Sequence, residues 1–317
     1  MNKKETMMKT IRKPICLLLA AACVCACSKS ESGEQIPGGD AEIRLSAGLP
    51  AASVRSKAPI DSGDTFIPAV AGWESAAAAN YAGAPAWKTS ASEIAASATA
   101  QAVTLTDRQF YNANGTIKTY MKAWYPQGTL ADGKVTFTGD ASYEGDGTDD
   151  VLLAGEVSGS KSDRENKVLA FGHLTTQLKF VVKAGEGLAS DTKLVKIELK
   201  GVDVPGGIDL ATNALTGSAR ETLSVPGIDG GLMIGTTETG DAAGNPLMIV
   251  PPAGNTVTLS VATSAAEFDN IVATIDGDDE FQAGKAYTIT LTFSQKNIEL
   301  SATLAEWSAG TGSGLVE

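Results

Sequence analysis

The sequence has little cysteine, little histidine and few aromatic residues. Of its 317 residues, four are cysteines, one is a histidine and 6% are aromatic. All four cysteines lie between Cys16 and Cys27, so the rest of the chain offers no thiol nucleophile, disulfide or cysteine-bound metal. A catalytic triad would have to use His173, for which we expect a hydrogen-bonded packing role. These absences disfavour an enzyme.

Positive charge is scarce as well. Past Cys27 the chain has 20 basic and 36 acidic residues, a formal net charge of about −16. Such a surface repels phosphate backbones and anionic lipid headgroups, so nucleic acid is not an expected partner.

Motifs that carry chemistry are missing too. The chain has no GxSxG, phosphate loop, HExxH or dinucleotide fingerprint. Two acidic clusters do not fit the spacing of an EF-hand, and we expect solvated turns there rather than calcium sites or paired glycosidase carboxylates. The clusters are Asp146, Asp149 and Asp150, and Asp276, Asp278 and Asp279. We predict no catalytic residue, no metal and no cofactor.

The N-terminus has the pattern of an export signal. A basic start is followed by the apolar run Ile15–Ala26, which is shorter than the roughly 20 residues of a membrane-spanning helix. A small residue followed by cysteine at its end resembles the bacterial lipoprotein box. Cys27 fits best because the chain turns polar directly after it, and Cys23 is the alternative. We predict a signal peptide over 1–26, acylation (palmitate) and a flexible tether over 27–41.

Short runs of alternating apolar residues predict an all-β chain. In the first run, Ile43, Leu45, Ala47 and Leu49 are spaced two apart and share one face of a strand. Asn114-Gly115 predicts a hairpin, and Leu194–Leu199 predicts a strand. The simplest arrangement is two sandwiches over 42–184 and 185–317.

The C-terminus predicts a hairpin. Tyr287, Ile289, Leu291 and Phe293 alternate, and after a turn a second set alternates again. That set is Ile298, Leu300, Ala302 and Leu304.

Four tryptophans are candidate platforms for sugar stacking. We expect Trp124 and Trp307 to pack inside the protein. Trp73 and Trp87 lie in an alanine-rich, irregular region and are the possible ligand contacts.

Several short segments occur in an order that resembles the fimbrillin-like lipoproteins of Bacteroidales, the subunits of type V pili. They follow a lipoprotein signal and an alternating first strand with an arginine-bearing loop after it. The segments are Trp124-Tyr125-Pro126, Thr148-Asp149-Asp150-Val151-Leu152, Phe171-Gly172-His173-Leu174, Ala283 to Leu291, and a last strand ending in Trp307. The resemblance implies two transthyretin-like β-sandwich domains in tandem.

The resemblance also implies processing by an arginine-specific protease in the loop after the first strand. Arg55 matches that position, and Arg44 is the alternative, although it lies inside the strand and should be protected by pairing. Cleavage at Arg55 would remove the first strand and leave a groove that another chain can fill. The segment Ile298 to Leu304 is the donor strand that we expect. A polymer of this kind requires this strand to be a removable piece at the edge of its sheet, and a position between two partner strands would contradict it.

The implied function is a structural subunit or accessory protein of a type V-like pilus that supports adhesion. Its expected partners are other pilin subunits, the protease and, through the lipid anchor, the outer membrane at the cell surface. The alternative is a surface lipoprotein that binds carbohydrate without polymerising.

Overall fold

The computed structural model describes residues 41–49, 60, 63–237, 240–275, 280–295 and 298–306. Every regular element in this part of the chain is a β-strand. The all-β fold class predicted from the alternating patterns is therefore confirmed. The cause is local: residues spaced two apart along most strands place one apolar face against a core.

The described residues form 22 strands. In chain order they are β1 (Leu45–Gly48), β2 (Thr65–Phe66), β3 (Ala69–Ser75), β4 (Trp87–Ser90), β5 (Ile94–Ala95), β6 (Gln101–Val103), β7 (Lys118–Tyr125), β8 (Thr129–Ala131), β9 (Lys134–Thr136), β10 (Leu152–Ala154), β11 (Val157–Gly159), β12 (Lys167–His173), β13 (Thr176–Ala184), β14 (Lys193–Asp209), β15 (Ala214–Ser224), β16 (Leu232–Met233), β17 (Asp241–Ala242), β18 (Leu247–Ile249), β19 (Thr256–Thr263), β20 (Glu267–Thr274), β21 (Lys285–Phe293) and β22 (Ile298–Glu306).

The strands make three main sheets. The first has the order β4-β3-β7-β10-β12-β1-β6, with β11 also paired to β7. The second has the order β17-β13-β21-β22, with β18 on β13, and the third runs β20-β19-β14-β9-β8, with β15 and β16 on β14. Two pairs, β1–β12 and β13–β21, are parallel.

The described part of residues 40–317 forms one compact unit that contains three apolar clusters. One lies against the first sheet and includes the apolar side of β1. A second lies between the other two sheets around Leu178, Leu199 and Tyr287. The third joins Trp124 of the first sheet to Ile208 of β14 and to Leu210, which directly follows β14.

Lys122 strengthens this junction. Its ammonium donates to the carbonyl of Leu210 and to Oδ1 of Asn213 (2.6 Å), and it lies 4.1 Å from the centre of the Tyr81 ring. Burial lowers the pKa of this lysine.

The division into two domains remains a prediction. Phe180 and Val182 of β13 pack in the second cluster rather than in the first. We therefore propose that the second domain begins at β13 rather than at residue 185.

Three local predictions can be compared with the structure. The C-terminal hairpin is confirmed: β21 and β22 pair from Lys285 and Glu306 to Phe293 and Ile298. The predicted hairpin at Asn114-Gly115 is wrong, because the turn leads into β7 while Tyr111 pairs back to Ala41. The strand predicted over Leu194–Leu199 extends to Asp209, past a bulge between Pro205 and Gly207. A Cβ on Gly207 would lie 2.0 Å from the carbonyl oxygen of Val135.

Candidate functional site

The first strand fills an apolar slot in the first sheet. Ile43, Leu45, Ala47 and Leu49 are each at most 5% exposed and belong to the first cluster. The walls of the slot come from residues far along the chain, including Met121, Leu152 and Phe171. We call the space that residues 41–49 occupy the β1 slot. Its apolar side is the face that the alternating sequence predicted.

The β1 slot has a partner on each flank. Leu45–Gly48 pairs in parallel with Lys167–Ala170 of β12, and Leu45–Ala47 pairs antiparallel with Gln101–Val103 of β6. The expectation of an edge strand is therefore wrong: β1 is second from the edge, covered by a strand of three residues. Sequence reasoning missed β6 because its short exposed run lies in the alanine-rich region.

Arg108 holds the upstream end of the slot. Its Nε and Nη2 donate to the two carboxylate oxygens of Glu42, at 2.7 and 2.8 Å. This hydrogen bond lowers the pKa of Glu42 and raises that of Arg108. The amide of Ile43 also donates to the carbonyl of Gln109 (2.9 Å).

The middle of the slot is fixed by Asn166, whose Nδ2 donates to Oγ of Ser46 (2.9 Å). Ser46 is 8% exposed although its side chain is polar. At the far end, the amide of Leu49 donates to the carbonyl of Ser97 (2.8 Å). No local pattern in the sequence indicates Arg108 or Asn166, because both act across more than 60 residues of chain.

Of the two candidate processing sites, only Arg44 lies in the described part of the chain. Its side chain is exposed, but its carbonyl accepts a hydrogen bond from the amide of Lys167 (3.1 Å). A protease must bind its substrate backbone in an extended form, and Arg44 lies directly before β1, which has a partner on each flank. Arg55 lies outside the described residues.

The predicted donor strand, β22, pairs along its length with β21 and ends the order of its sheet. On its other side the described residues contribute a single bridge, between Ile275 and Ala302. Ala302 is 1% exposed, whereas Ile298 and Leu300 are only half-buried. The side chain of Leu304 lies outside the described residues.

A buried hydrogen-bond network around Asp150 includes the backbone of Ile60. The amide of Ile60 donates to Oδ2 of Asp150 (3.1 Å), and Thr175 donates to Oδ1 (3.0 Å). Nδ1 of His173 lies 2.9 Å from Oδ2, and both side chains are at most 5% exposed. The hydrogen-bonded packing role expected for His173 is confirmed.

The same region corrects the expectation of solvated acidic turns. Asp149 and Asp150 are 8% and 5% exposed, and Asp149 accepts from the amides of Glu144 (2.8 Å) and Gly145 (2.6 Å). Burial raises the pKa of Asp149 despite these two donors. The other predicted cluster, Asp276, Asp278 and Asp279, lies outside the described residues.

A cavity of about 710 Å³ opens beside this network, with carboxylates from Asp64, Glu144, Asp146 and Asp149 in its lining. Among the described side chains, no group of three or more His, Cys, Asp or Glu is arranged to hold a metal ion. The lipidation candidates Cys27 and Cys23 precede the described residues. No helix in the described part of the chain is long and apolar enough to cross a membrane.

The tryptophans divide into core and half-buried positions. Trp124 is fully buried, as predicted. Trp73 is 3% exposed, donates from Nε1 to the carbonyl of Gly83 (2.9 Å) and meets the Tyr81 ring edge-on, so it presents no face to a sugar. Trp87 is half-buried against Gly72, where a Cβ would lie 2.4 Å from the ring. Trp307 lies outside the described residues.

Comparisons with known proteins agree with this architecture. A family model described as "Fimbrillin-like" matches residues 58–307. The protein named "Putative fimbrium subunit Fim1C", from Bacteroides uniformis, is 28% identical over 202 residues, which cover 61% of this chain and 62% of that protein's length.

Solved structures show the same fold. Two crystal structures, each described as a "putative cell adhesion protein", come from Bacteroides uniformis and Bacteroides ovatus. They are 18% and 14% identical to this chain, with a TM-score of 0.51 for both. Each comparison covers 85% of this chain, and 100% and 98% of the two solved chains.

Proposed function

The chain belongs to the fimbrillin-like family, and we propose that it is a structural subunit or accessory protein of a type V-like pilus that supports adhesion. One observation carries this proposal. A separate N-terminal strand fills an apolar slot whose walls are built entirely by later parts of the chain. We propose no catalytic role.

Removal of that strand would create the binding site for a neighbour. Cleavage after Arg55 by an arginine-specific protease would separate Ile43, Leu45, Ala47 and Leu49 from the rest of the chain. Burial of these four side chains is worth roughly 5 to 10 kcal/mol as an upper estimate. An emptied slot therefore favours any strand that restores this burial.

Because β1 lies between two strands, the simple removal of an edge strand that the sequence suggested does not apply, and the exchange that we propose must also release β6. The departure of β1 would leave unpaired backbone groups on β12 and deprive the three-residue β6 of its pairing partner. Ladder hydrogen bonds contribute about 0.5 to 1.5 kcal/mol each. An incoming strand would gain a ladder on both flanks, whereas an edge strand gains only one.

The donor that we propose is β22 of another subunit. It lies at the end of its own sheet, and its residues Ile298 and Leu300 are only half-buried there. In the β1 slot, the equivalent apolar residues are at least 95% buried. Transfer of β22 would break its nine-residue pairing with β21, and the exchange requires the deeper burial and the ladders on both flanks of the slot to offset that loss.

We propose further that the chain is exported as a lipoprotein. Acylation at Cys27, or alternatively at Cys23, would anchor the precursor to the outer membrane at the cell surface. Cleavage at Arg55 would release it from the anchor, after which it would join the fimbrium through other pilin subunits.

The test is digestion of the purified precursor with an arginine-specific protease. We expect a product that begins at Ser56, SDS-resistant ladders on a gel and fibres by electron microscopy. The matched variants are Arg55→Ala, which should block assembly, and Arg44→Ala, which should not. Cleavage without assembly would contradict strand exchange. Loss of glycan retention in Trp87→Ala would then support the carbohydrate-binding alternative.

A further inference from the structure

The two ends of the chain carry nearly the same strand. Residues 43–49 read Ile-Arg-Leu-Ser-Ala-Gly-Leu, and residues 298–304 read Ile-Glu-Leu-Ser-Ala-Thr-Leu. Five of the seven positions are identical, and only Arg44/Glu299 and Gly48/Thr303 differ. Another strand of similar composition, Val257–Thr263, shares two positions with residues 43–49.

The identical positions are those that the β1 slot restricts. The four apolar residues of the first strand are buried in the first cluster. The fifth identical position is Ser46, whose hydroxyl accepts the hydrogen bond from Asn166. A serine at this position of an incoming strand would restore the same bond.

The two differing positions tolerate the residues found in β22. The side chain of Arg44 is exposed, so a glutamate at the same position of the slot would also point to solvent without a steric clash. At Gly48, a Cβ would lie 3.5 Å from the backbone of Ala100 and of Ser97, which is ordinary van der Waals contact. Gly48 does not have a positive φ, so a threonine can adopt its backbone conformation.

The charges of the two strands differ. In the resident strand, Glu42 neutralises Arg108 at the mouth of the slot, and Arg44 lines the same groove. In the aligned donor, Asn297 replaces Glu42, and Glu299 replaces Arg44. Lys296 aligns with Ala41, so the donor brings one cation and one carboxylate to this end of the slot, and charge does not by itself select the register.

The environment of β22 in its own sheet does not explain the match. Ser301 is exposed there, whereas Ser46 is buried in the slot. An exposed position on a strand accepts many polar residues, so exposure to solvent does not by itself require a serine. The identity at Ser301 therefore corresponds to the demands of the slot.

We propose that the β1 slot accepts the C-terminal strand of a second copy of this same chain, with Ile298 in the place of Ile43 and Leu304 in the place of Leu49. This inference rests on the proposed function and goes further, since it names the partner and fixes the register. A chain with this property polymerises with itself, without a different subunit to donate the strand.

Engineered disulfides test the register. All four natural cysteines precede Arg55 and leave with the cleaved segment, so introduced cysteines are the only thiols. Val168 is opposite Ser46 on β12 and is 48% exposed. In the proposed register, Val168→Cys in one copy faces Ser301→Cys of the next, at the spacing of neighbouring strands that a disulfide can bridge.

We expect the Val168→Cys/Ser301→Cys variant, cleaved and oxidised as a single purified species, to form multimers that survive boiling and collapse to monomers on reduction. The matched control Val168→Cys/Glu299→Cys, shifted by two residues, should stay monomeric after boiling. Fibres in which the control cross-links and the test variant does not would overturn the register while leaving strand exchange intact. Fibres that need a second, different subunit would overturn self-assembly. Failure of the cleaved wild type to assemble even with added pilin subunits would overturn the proposed function itself.

Discussion

Individual side chains fix where the first strand lies in its slot. Arg108 holds Glu42 at one end, and Asn166 holds Ser46 in the middle. The sequence predicted the four apolar residues of this strand, because a two-residue period is visible locally. It did not predict Arg108 or Asn166, because contacts between distant parts of a chain leave no local pattern. The buried Asp149 and Asp150 were missed for the same reason.

Glu42 should make stability depend on pH. The hydrogen bond from Arg108 holds the pKa of Glu42 below its ordinary value of 4.5 in the folded state. The carboxylate therefore contributes stability above about pH 4.5, and this contribution is lost as the pH falls through the folded pKa. We expect the difference in unfolding free energy between wild type and Glu42→Gln to be constant near neutral pH and to shrink in acid.

The measurement is urea unfolding over a range of pH. Glu221→Gln, which changes an exposed carboxylate on β15, is the matched control and should show no such trend. A Glu42→Gln difference that grows as the pH falls would contradict the role given to Arg108.

The buried network around Asp150 should be sensitive to the loss of one donor. Thr175→Val keeps the shape of the side chain but removes the hydrogen bond to Oδ1 of Asp150. Because a buried acceptor is then left with fewer partners, we expect a loss of about 1 to 3 kcal/mol in the free energy of unfolding. Urea denaturation measures it.

Thr222→Val, at an exposed position of β15, is the control and should change stability by less than about 0.5 kcal/mol. Equal effects of the two substitutions would show that the network contributes no specific stability.

At the scale of elements, the chain places two similar strands in different environments. The first strand lies between β12 and β6, and β22 ends its own sheet. The sequence predicted both strands and the hairpin of β21 and β22, because their apolar residues alternate. It did not predict β6, because this strand is a short exposed run. It did not predict the full length of β14, because the bulge between Pro205 and Gly207 interrupts the alternation.

Substitutions on the exposed side of β22 should affect assembly differently from folding, because β22 lies at the end of its own sheet in the subunit and would lie in the β1 slot of a neighbour in the fibre. Ser301→Lys changes an exposed residue in its own sheet but would place an ammonium at the buried Ser46 position of the slot. Burial of an unpaired charge costs well over about 1.4 kcal/mol, so we expect assembly to slow by more than about tenfold. Light scattering after cleavage measures the rate.

Glu299→Lys is the matched control, because this position is exposed in β22 and aligns with the exposed Arg44 in the slot. It should assemble within about threefold of wild type, as expected for a surface substitution. Slower assembly of Glu299→Lys than of Ser301→Lys would contradict the proposed alignment. Thermal unfolding of the uncleaved variants checks that both fold.

At the scale of the whole molecule, self-assembly brings together subunits of like charge. The chain beyond Cys27 has a formal net charge of about −16 by residue counting. The all-β class was predictable from composition and alternation. The division that we propose at β13 was not predictable, because residues 176–184 have the same alternating pattern whichever core they join.

This charge should make assembly depend on salt. Subunits that repel each other meet more often when ions screen the charges, and the screening length falls from about 30 Å at 0.01 M to about 10 Å at 0.1 M salt. We expect cleaved protein to assemble several-fold faster at the higher salt concentration, as followed by light scattering. A rate that falls with salt would show that attraction between opposite charges dominates the encounter.

The most direct test of strand exchange is the structure of the assembled fibre by electron cryo-microscopy. The account predicts that the strand between β12 and β6 is traced as Ile298–Leu304 of the neighbouring subunit, with Ser301 beside Asn166. Density for Ile43–Leu49 of the subunit's own chain in that place would contradict it.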